Sequence, residues 1–207
     1  MGKRIGIYLA GLAIAALGIA LVILSLLGAG PWDTVAIGLN GYLVLTIGTW
    51  SIIIQLLFTL LTWLIEKTRI RIESIIPIVI RSWFLDIWIY LVFRNADFSS
   101  SWEAQWLCLL GGIIIIGIGI SIYLEAQFPR LPIDGLMIAI CHRFNCNFNI
   151  SRLSIEATGA ILGLLLGGPV GIGTLVTALL LGKVIQVFHP MIKKLLHIQV
   201  KTVETRT

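Results

Sequence analysis

Charge is what this sequence has least of. Of 207 residues, only 12% are Asp, Glu, Lys or Arg, against about a quarter in an ordinary soluble domain. With 58% hydrophobic residues and a mean hydropathy of +1.01, a water-soluble globular domain is excluded. Polar/apolar alternation is also missing. A transmembrane barrel alternates along strands of about ten residues, whereas the apolar runs here are continuous. Cysteine is scarce: Cys108, Cys141 and Cys146 provide no disulfide framework. Cys141 and Cys146 have only His142 beside them, too few ligands for a zinc site. No metal or cofactor is expected. Enzyme signatures are absent too, with no nucleophile elbow, HExxH, Walker or dinucleotide motif. Ser25, Ser51 and Ser154 find no histidine partner, because His142, His189 and His197 fall at or beyond the expected membrane edge. The expectation is therefore that the protein is not an enzyme. Its net charge of +5 is scattered without interleaved aromatics, which fits basic loops of a membrane protein and argues against a nucleic-acid partner.

What is present is a series of apolar segments. Residues 5–27 and 105–124 are long enough to cross a hydrocarbon core of about 30 Å at a rise of about 1.5 Å per residue. The first is too long for a signal-peptide core, and no soluble domain follows it. Further apolar segments cover 49–65, 74–93, 153–166 and 173–188. Two shorter ones, 31–45 and 132–141, each begin with Pro and carry Asp two residues later. Pro is favoured in the first helical turn, and Asp there complements the helix dipole.

The two short segments belong to a repeat. A fixed offset of 101 residues carries Gly11 to Gly112, Gly18 to Gly119, Pro31 to Pro132, Asp33 to Asp134 and Gln55 to Glu156. Matches of Gly, Pro and Asp at one offset point to an internal duplication. With the short segments re-entrant and the N-terminus inside, Lys3, Arg4, Lys67, Arg69, Arg71, Arg130, Arg143, Arg152 and the tail all fall on the cytoplasmic side. Only Arg94 then faces outside. Eight full spans would move Lys67, Arg69, Arg71 and Arg130 outward, against the positive-inside bias. The expected fold is an all-α polytopic membrane protein: six transmembrane helices plus two short re-entrant helices, in an inverted three-plus-three repeat. Residues 1–103 form the first membrane repeat, 104–190 the second, and 191–207 a cytoplasmic basic tail.

Gly28-Ala29-Gly30-Pro31-Trp32-Asp33, then Gly38-Leu39 and Gly48-Thr49, resembles the opening pattern of the YczE/YyaS/YitT family of bacterial integral membrane proteins. Gly171-Ile172-Gly173-Thr174 followed by Gly182 fits the same family, so the resemblance covers nearly the whole chain. The second half departs from the first, with Leu131 and Ile133 where Gly30 and Trp32 stand. The resemblance implies a multi-pass protein of a bacterial plasma membrane. It carries over no catalytic residue and no substrate.

Several polar groups lie inside the apolar segments, where they are costly unless paired or functional. Asp33 and Asp134 can cap the helices they open, or face a central site as discontinuous helices do in transporters. Gln55 and Glu156 occupy matching places in the segments that follow, with Glu156 four residues beyond Arg152. Arg81 and Lys183 sit inside the last segment of each half, where they would hold an anionic group or glue helices together. Asp86, five residues after Arg81, is expected to face a different neighbour. Trp32, alone among the tryptophans, stands in the opening motif and could stack on a solute. The glycines of 167–174 are read as a hairpin between two spans, and His142, Arg143 and the asparagines after them as a cytoplasmic loop.

The leading functional expectation is a small secondary transporter or permease for a small solute, anionic if Arg81 and Lys183 hold it, at a midplane site between the two short helices. Its substrate- or ion-binding residues would be Asp33, Asp134, Glu156, Gln55, Arg81, Lys183 and Trp32. The alternatives are a non-transporting scaffold or regulator, and a substrate-binding subunit of a larger transporter. Expected partners are the lipid bilayer, the solute and a second copy of the chain.

Overall fold

The computed structural model describes residues 2–67, 72–96, 98, 101–129 and 131–196. Arg69, Arg71, Arg130 and the tail beyond 196 lie outside the described residues, as does the side chain of Asp134. Eight α-helices make up the described architecture: α1 (Gly2–Leu24), α2 (Pro31–Asn40), α3 (Ile47–Glu66), α4 (Ile75–Asp86), α5 (Trp102–Glu125), α6 (Pro132–Phe144), α7 (Phe148–Leu165) and α8 (Ile172–Leu196). α4 continues as a π-helical stretch, Ile87–Val92. Among the described residues there is no strand.

Five helical segments are long and apolar enough to cross a membrane: α1, α3, α4 with its extension (Ile75–Val92), α5 and α8. The chain is thus an all-helical membrane protein. α7 stands apart because its first half carries Ser151, Arg152, Ser154 and Glu156. Hydrophobic side chains such as Leu107, Leu164, Leu175 and Leu179 are exposed on the outer faces, as lipid contact requires and water would forbid.

The expected short helices are present. Both begin with Pro in the first turn, at Pro31 and Pro132, where the missing N–H costs nothing. α3 and α7 follow with polar N-caps at the same offset. Thr46 accepts from the Thr49 N–H and Asn147 from the Ile150 N–H, satisfying one free donor of each helix. The positive φ of Asn145 ends α6 in the left-handed region that Asn tolerates.

α1 and α5 form the centre. They run antiparallel: Arg4 donates to the Ala126 carbonyl at one end (2.9 Å), and Cys108 to the Leu21 carbonyl at the other (3.1 Å). Glycine lets the backbones touch. A Cβ on Gly11 would lie 2.9 Å from the Gly119 carbonyl oxygen, and one on Gly18 would lie 2.6 Å from that of Gly112. Small residues allow such an approach where lipid supplies no hydrophobic drive for helices to associate. α8 packs on α5, and α4 on α1. α2 packs on α7 in parallel, with Trp32 against Gly159 and Gly38 against Leu166. α6 packs on α3.

The 167–174 stretch is a hairpin leading into α8. It is tied to the α1–α2 connection by Gly173 N–H to the Leu27 carbonyl (2.8 Å) and Ala29 N–H to the Pro169 carbonyl (3.3 Å). Gly28 sits there at φ +127°, a conformation open to glycine and few others.

Gly112→Ala should lower stability by about 1–3 kcal/mol through overpacking. Its neighbour is the control: a Cβ on Gly111 meets nothing within 4 Å, so Gly111→Ala should leave the melting temperature of the purified protein unchanged or raise it slightly. Equal melting temperatures for the two variants would contradict this packing.

Candidate functional site

Between the α1–α5 pair and the helices around it lies a cavity of about 340 Å³. Its walls are largely aliphatic, with Ile19 and Val22 from α1, Ile116 and Ile120 from α5, and Leu181 and Ile185 from α8. The start of α2 projects into it through Pro31, Trp32 and Asp33, and the start of α6 contributes Ile133. Polar groups reach it from α3 (Ser51 and Gln55), α4 (Arg81), α7 (Arg152 and Glu156) and α8 (Thr177).

The opening turn of α2 places Asp33. Gly30 is the N-cap and Pro31 the first helical residue. The carboxylate folds back over Gly30, where a Cβ would lie 2.5 Å from its Oδ2. This explains the glycine of the motif: a larger residue there would push the carboxylate away. Trp32 is wedged edge-on against Phe58 of α3, with ring centroids 4.6 Å apart at 86°.

Arg81 donates from Nη2 to Ser51 Oγ at 2.8 Å, which fixes the guanidinium against α3. Its charge acts on Asp33, and Glu156 in turn feels both Arg152 and Asp33. The four charges therefore form one electrostatic group. None of them is in a direct ion pair among the described residues, where the described pair is His189 with Glu125 at 3.0 Å. Arg152 has no hydrogen-bond partner among the described residues and lies against Gly182 of α8.

Buried polar atoms in proteins are normally paired. Here Trp32 Nε1, Gln55 Oε1, Arg81 Nε and Thr177 Oγ1 are buried without a partner, and all four residues line the cavity. Gln55 and Thr177 are only 5% and 4% exposed.

Of the residues singled out in the sequence, Trp32, Asp33, Gln55, Arg81 and Glu156 therefore converge on one cavity. Asp134 is the third residue of α6, and its side chain lies outside the described residues. Lys183 is exposed and does not line the cavity. The second cation is instead Arg152, which the charge-sidedness argument had assigned to the cytoplasmic face. Its alignment with Ser51 at the 101 offset was the available signal, since Ser51 is the residue that holds Arg81. Thr177, too, was missed: a threonine in an apolar helix carries no pattern of its own. Asp86 and Arg81 do face different places, both on α3. Asp86 accepts from Thr46 Oγ1 (2.6 Å) and the Gly48 N–H (2.8 Å), and so serves the α3 N-terminus. Among the described residues no cluster of His, Cys, Asp or Glu is suited to a metal ion.

A helical membrane bundle with a central polar cavity is the class that this geometry defines. The chain belongs to the YczE/YyaS family of bacterial membrane proteins. A family of unknown function (DUF6198) matches residues 2–190. The uncharacterized protein YyaS of Bacillus subtilis is 31% identical over 89% of this chain and 91% of its own. The uncharacterized membrane protein YczE of the same organism is 31% identical over 92% and 87%, and an uncharacterized protein of Haemophilus influenzae is 35% identical over 95% and 88%. No solved structure matches.

Two substitutions separate the cavity from the scaffold. Asp86→Ala should cost about 1.5–3 kcal/mol, because it removes a charged acceptor from two donors. Thr177→Val should leave stability unchanged or raise it by up to about 1 kcal/mol, read as an unchanged or higher melting temperature, because its hydroxyl is already unpaired. A large loss of stability in Thr177→Val would mean that the hydroxyl has a structural partner.

Proposed function

We propose that the protein is a small secondary transporter or permease of the bacterial plasma membrane, with the cavity at Trp32, Asp33, Gln55, Arg81, Arg152 and Glu156 as its solute site. The observation that carries this reading is that four of the six buried polar atoms without a partner among the described residues line one cavity. A cavity of this volume is at the size at which small-molecule sites begin. A scaffold would be expected to pair such groups for stability, so their state weighs against that alternative. Among the described residues, no nucleophile with an adjacent base lines the cavity, which favours transport over intramembrane catalysis.

The topology in this proposal has six spans, α1, α3, α4, α5, α7 and α8, with α2 and α6 re-entrant and both termini cytoplasmic. Residues 1–103 and 104–190 would be inverted repeats. Reciprocal contacts support this. Gly11 meets Gly119 and Gly18 meets Gly112, and the 101 offset converts each contact into the other. α2 packs on α7 just as α6 packs on α3. A two-fold axis in the membrane plane, between antiparallel halves, produces this reciprocity, and rocking of such halves gives alternating access. A wider recess of about 970 Å³ shares Leu124, Met137 and Ile185 with the cavity and carries His189 and Lys193 at its edge. It would be the inner approach. On the other side, the Leu27–Gly173 and Ala29–Pro169 bonds would be the outer closure. Either Asp33 or Glu156 would take up a proton or cation during the cycle. The bilayer, the solute and a second copy of the chain would be the partners.

A cysteine at Thr177, with the three native cysteines replaced, tests this without knowledge of the solute. Membrane-impermeant thiol reagents should label Thr177→Cys in both right-side-out and inside-out vesicles. Labelling from neither side would sink the transport reading in favour of a closed scaffold. Labelling from one side only would reduce it to a one-sided binding site.

A further inference from the structure

Among the described residues, the cavity is lined by two arginines and two carboxyl groups, and no direct ion pair joins them. A purely anionic solute would use Arg81 and Arg152 and leave Asp33 and Glu156 beside its negative charge. A purely cationic solute would meet the reverse problem. A solute bearing both charges satisfies both, and the unpartnered atoms divide in the same way. Trp32 Nε1, Arg81 Nε and the Thr177 hydroxyl offer donors, and Gln55 Oε1 offers an acceptor. Most of the rest of the wall is aliphatic, with Tyr123 and Ser51 also lining it.

The two arginines come from unlike places in the two halves. Arg81 is on α4 and reaches Ser51 on α3. Arg152 is on α7, at the place matching Ser51, and lies against Gly182 on α8, at the place matching Arg81. One guanidinium thus bridges the third and fourth helices of each half, supplied from opposite partners. The glutamine and glutamate of the next turn, Gln55 and Glu156, sit one helical turn beyond Ser51 and Arg152. The same four-residue step therefore presents a cation and an acceptor on α7, and a hydroxyl and an acceptor on α3.

We propose that the cavity binds a compact zwitterion with an apolar side chain, in chemical class an apolar α-amino acid. The carboxylate is held by the arginines with Trp32 and Thr177, the ammonium by Asp33, Glu156 and Gln55, and the side chain by the isoleucines of α1 and α5. Arginine suits the first task because its planar fork matches a carboxylate. This inference rests on the transporter reading above and narrows its solute.

The test uses the full-length protein purified in detergent and isothermal titration calorimetry. The probes are L-leucine and its two half-molecules, 4-methylpentanoate without the amine and 3-methylbutylamine without the carboxylate. L-Phenylalanine, 3-phenylpropanoate and 2-phenylethylamine repeat the comparison with a larger side chain. At least one amino acid should bind at least about tenfold more tightly than both of its half-molecules, since a site with buried polar groups rejects analogues that leave them unpaired. Arg152→Gln should weaken that binding by about tenfold or more. Thr177→Val, chosen because it removes a hydroxyl without a structural partner, should weaken it while preserving the melting temperature. A half-molecule that binds as tightly as its amino acid, or no binding of either amino acid, overturns the zwitterion class. If Thr177→Cys is still labelled from both sides, the transporter reading survives that result; if it is not, both fall.

Discussion

The close crossing of α1 and α5 is the contact on which the rest of the bundle depends. Gly11, Gly18, Gly112 and Gly119 bring two backbones together in antiparallel register. Lipid tails are as apolar as leucine, so nothing pushes two membrane helices together except packing and polar contacts. Side chains at these four places would separate the helices. α4 leans on α1 and α8 on α5, so the outer helices take their positions from this seam. The two short helices then fill the space left beside it, each packed on a helix of the other half.

That arrangement has a chemical consequence. The short helices begin inside the bundle rather than at its surface, so their first turns bring backbone donors to a buried place, and at α2 an acidic residue, Asp33, as well. At α2 the Gly30-Pro31-Trp32-Asp33 turn does three things together. Pro31 begins the helix without losing a hydrogen bond, Gly30 makes room for the carboxylate, and Trp32 fixes the turn against Phe58. Long aliphatic helices supply walls that exclude water, which strengthens every electrostatic interaction between the groups they surround. The buried polar atoms left unpaired in such walls are a cost to stability.

Much of this was legible in the sequence because glycine, proline and aspartate carry positional meaning that leucine does not. The 101 offset marks the helix starts at Pro31 and Pro132 and the equivalence of the four seam glycines, though not which of them meet. Five of the seven singled-out site residues reach the cavity: Trp32, Asp33, Gln55 and Glu156 stand at matched or motif-bearing places, and Arg81 stood out as a charge inside an apolar segment. Lys183 and Arg152 show where the reading failed. Each is a single cation, Arg152 just before an expected apolar segment and Lys183 inside one, and side-chain direction around the helix decides between lipid and cavity. Helical phase was too weakly marked in chains so uniformly apolar to fix that direction. α7 was expected as a span like the others, yet its polar first half, the part that faces the cavity, keeps it apart from the five clearly apolar helices. Asp86 was unresolvable for a different reason. Its partners, Thr46 and Gly48, are about forty residues away in sequence, and only the packing of α4 on α3 brings them to it.

The central claim is that the unpaired groups around Trp32, Gln55, Arg81 and Thr177 form a binding site rather than a gap in the packing. An experimental structure in a lipid bilayer tests it most directly. The account predicts a hydrated or ligand-filled cavity, with density in hydrogen-bond contact with Gln55 Oε1 and Trp32 Nε1 and both arginines facing it. A collapsed interior, in which Arg81 pairs with Asp33 and Arg152 with Glu156 and no cavity remains, would contradict it.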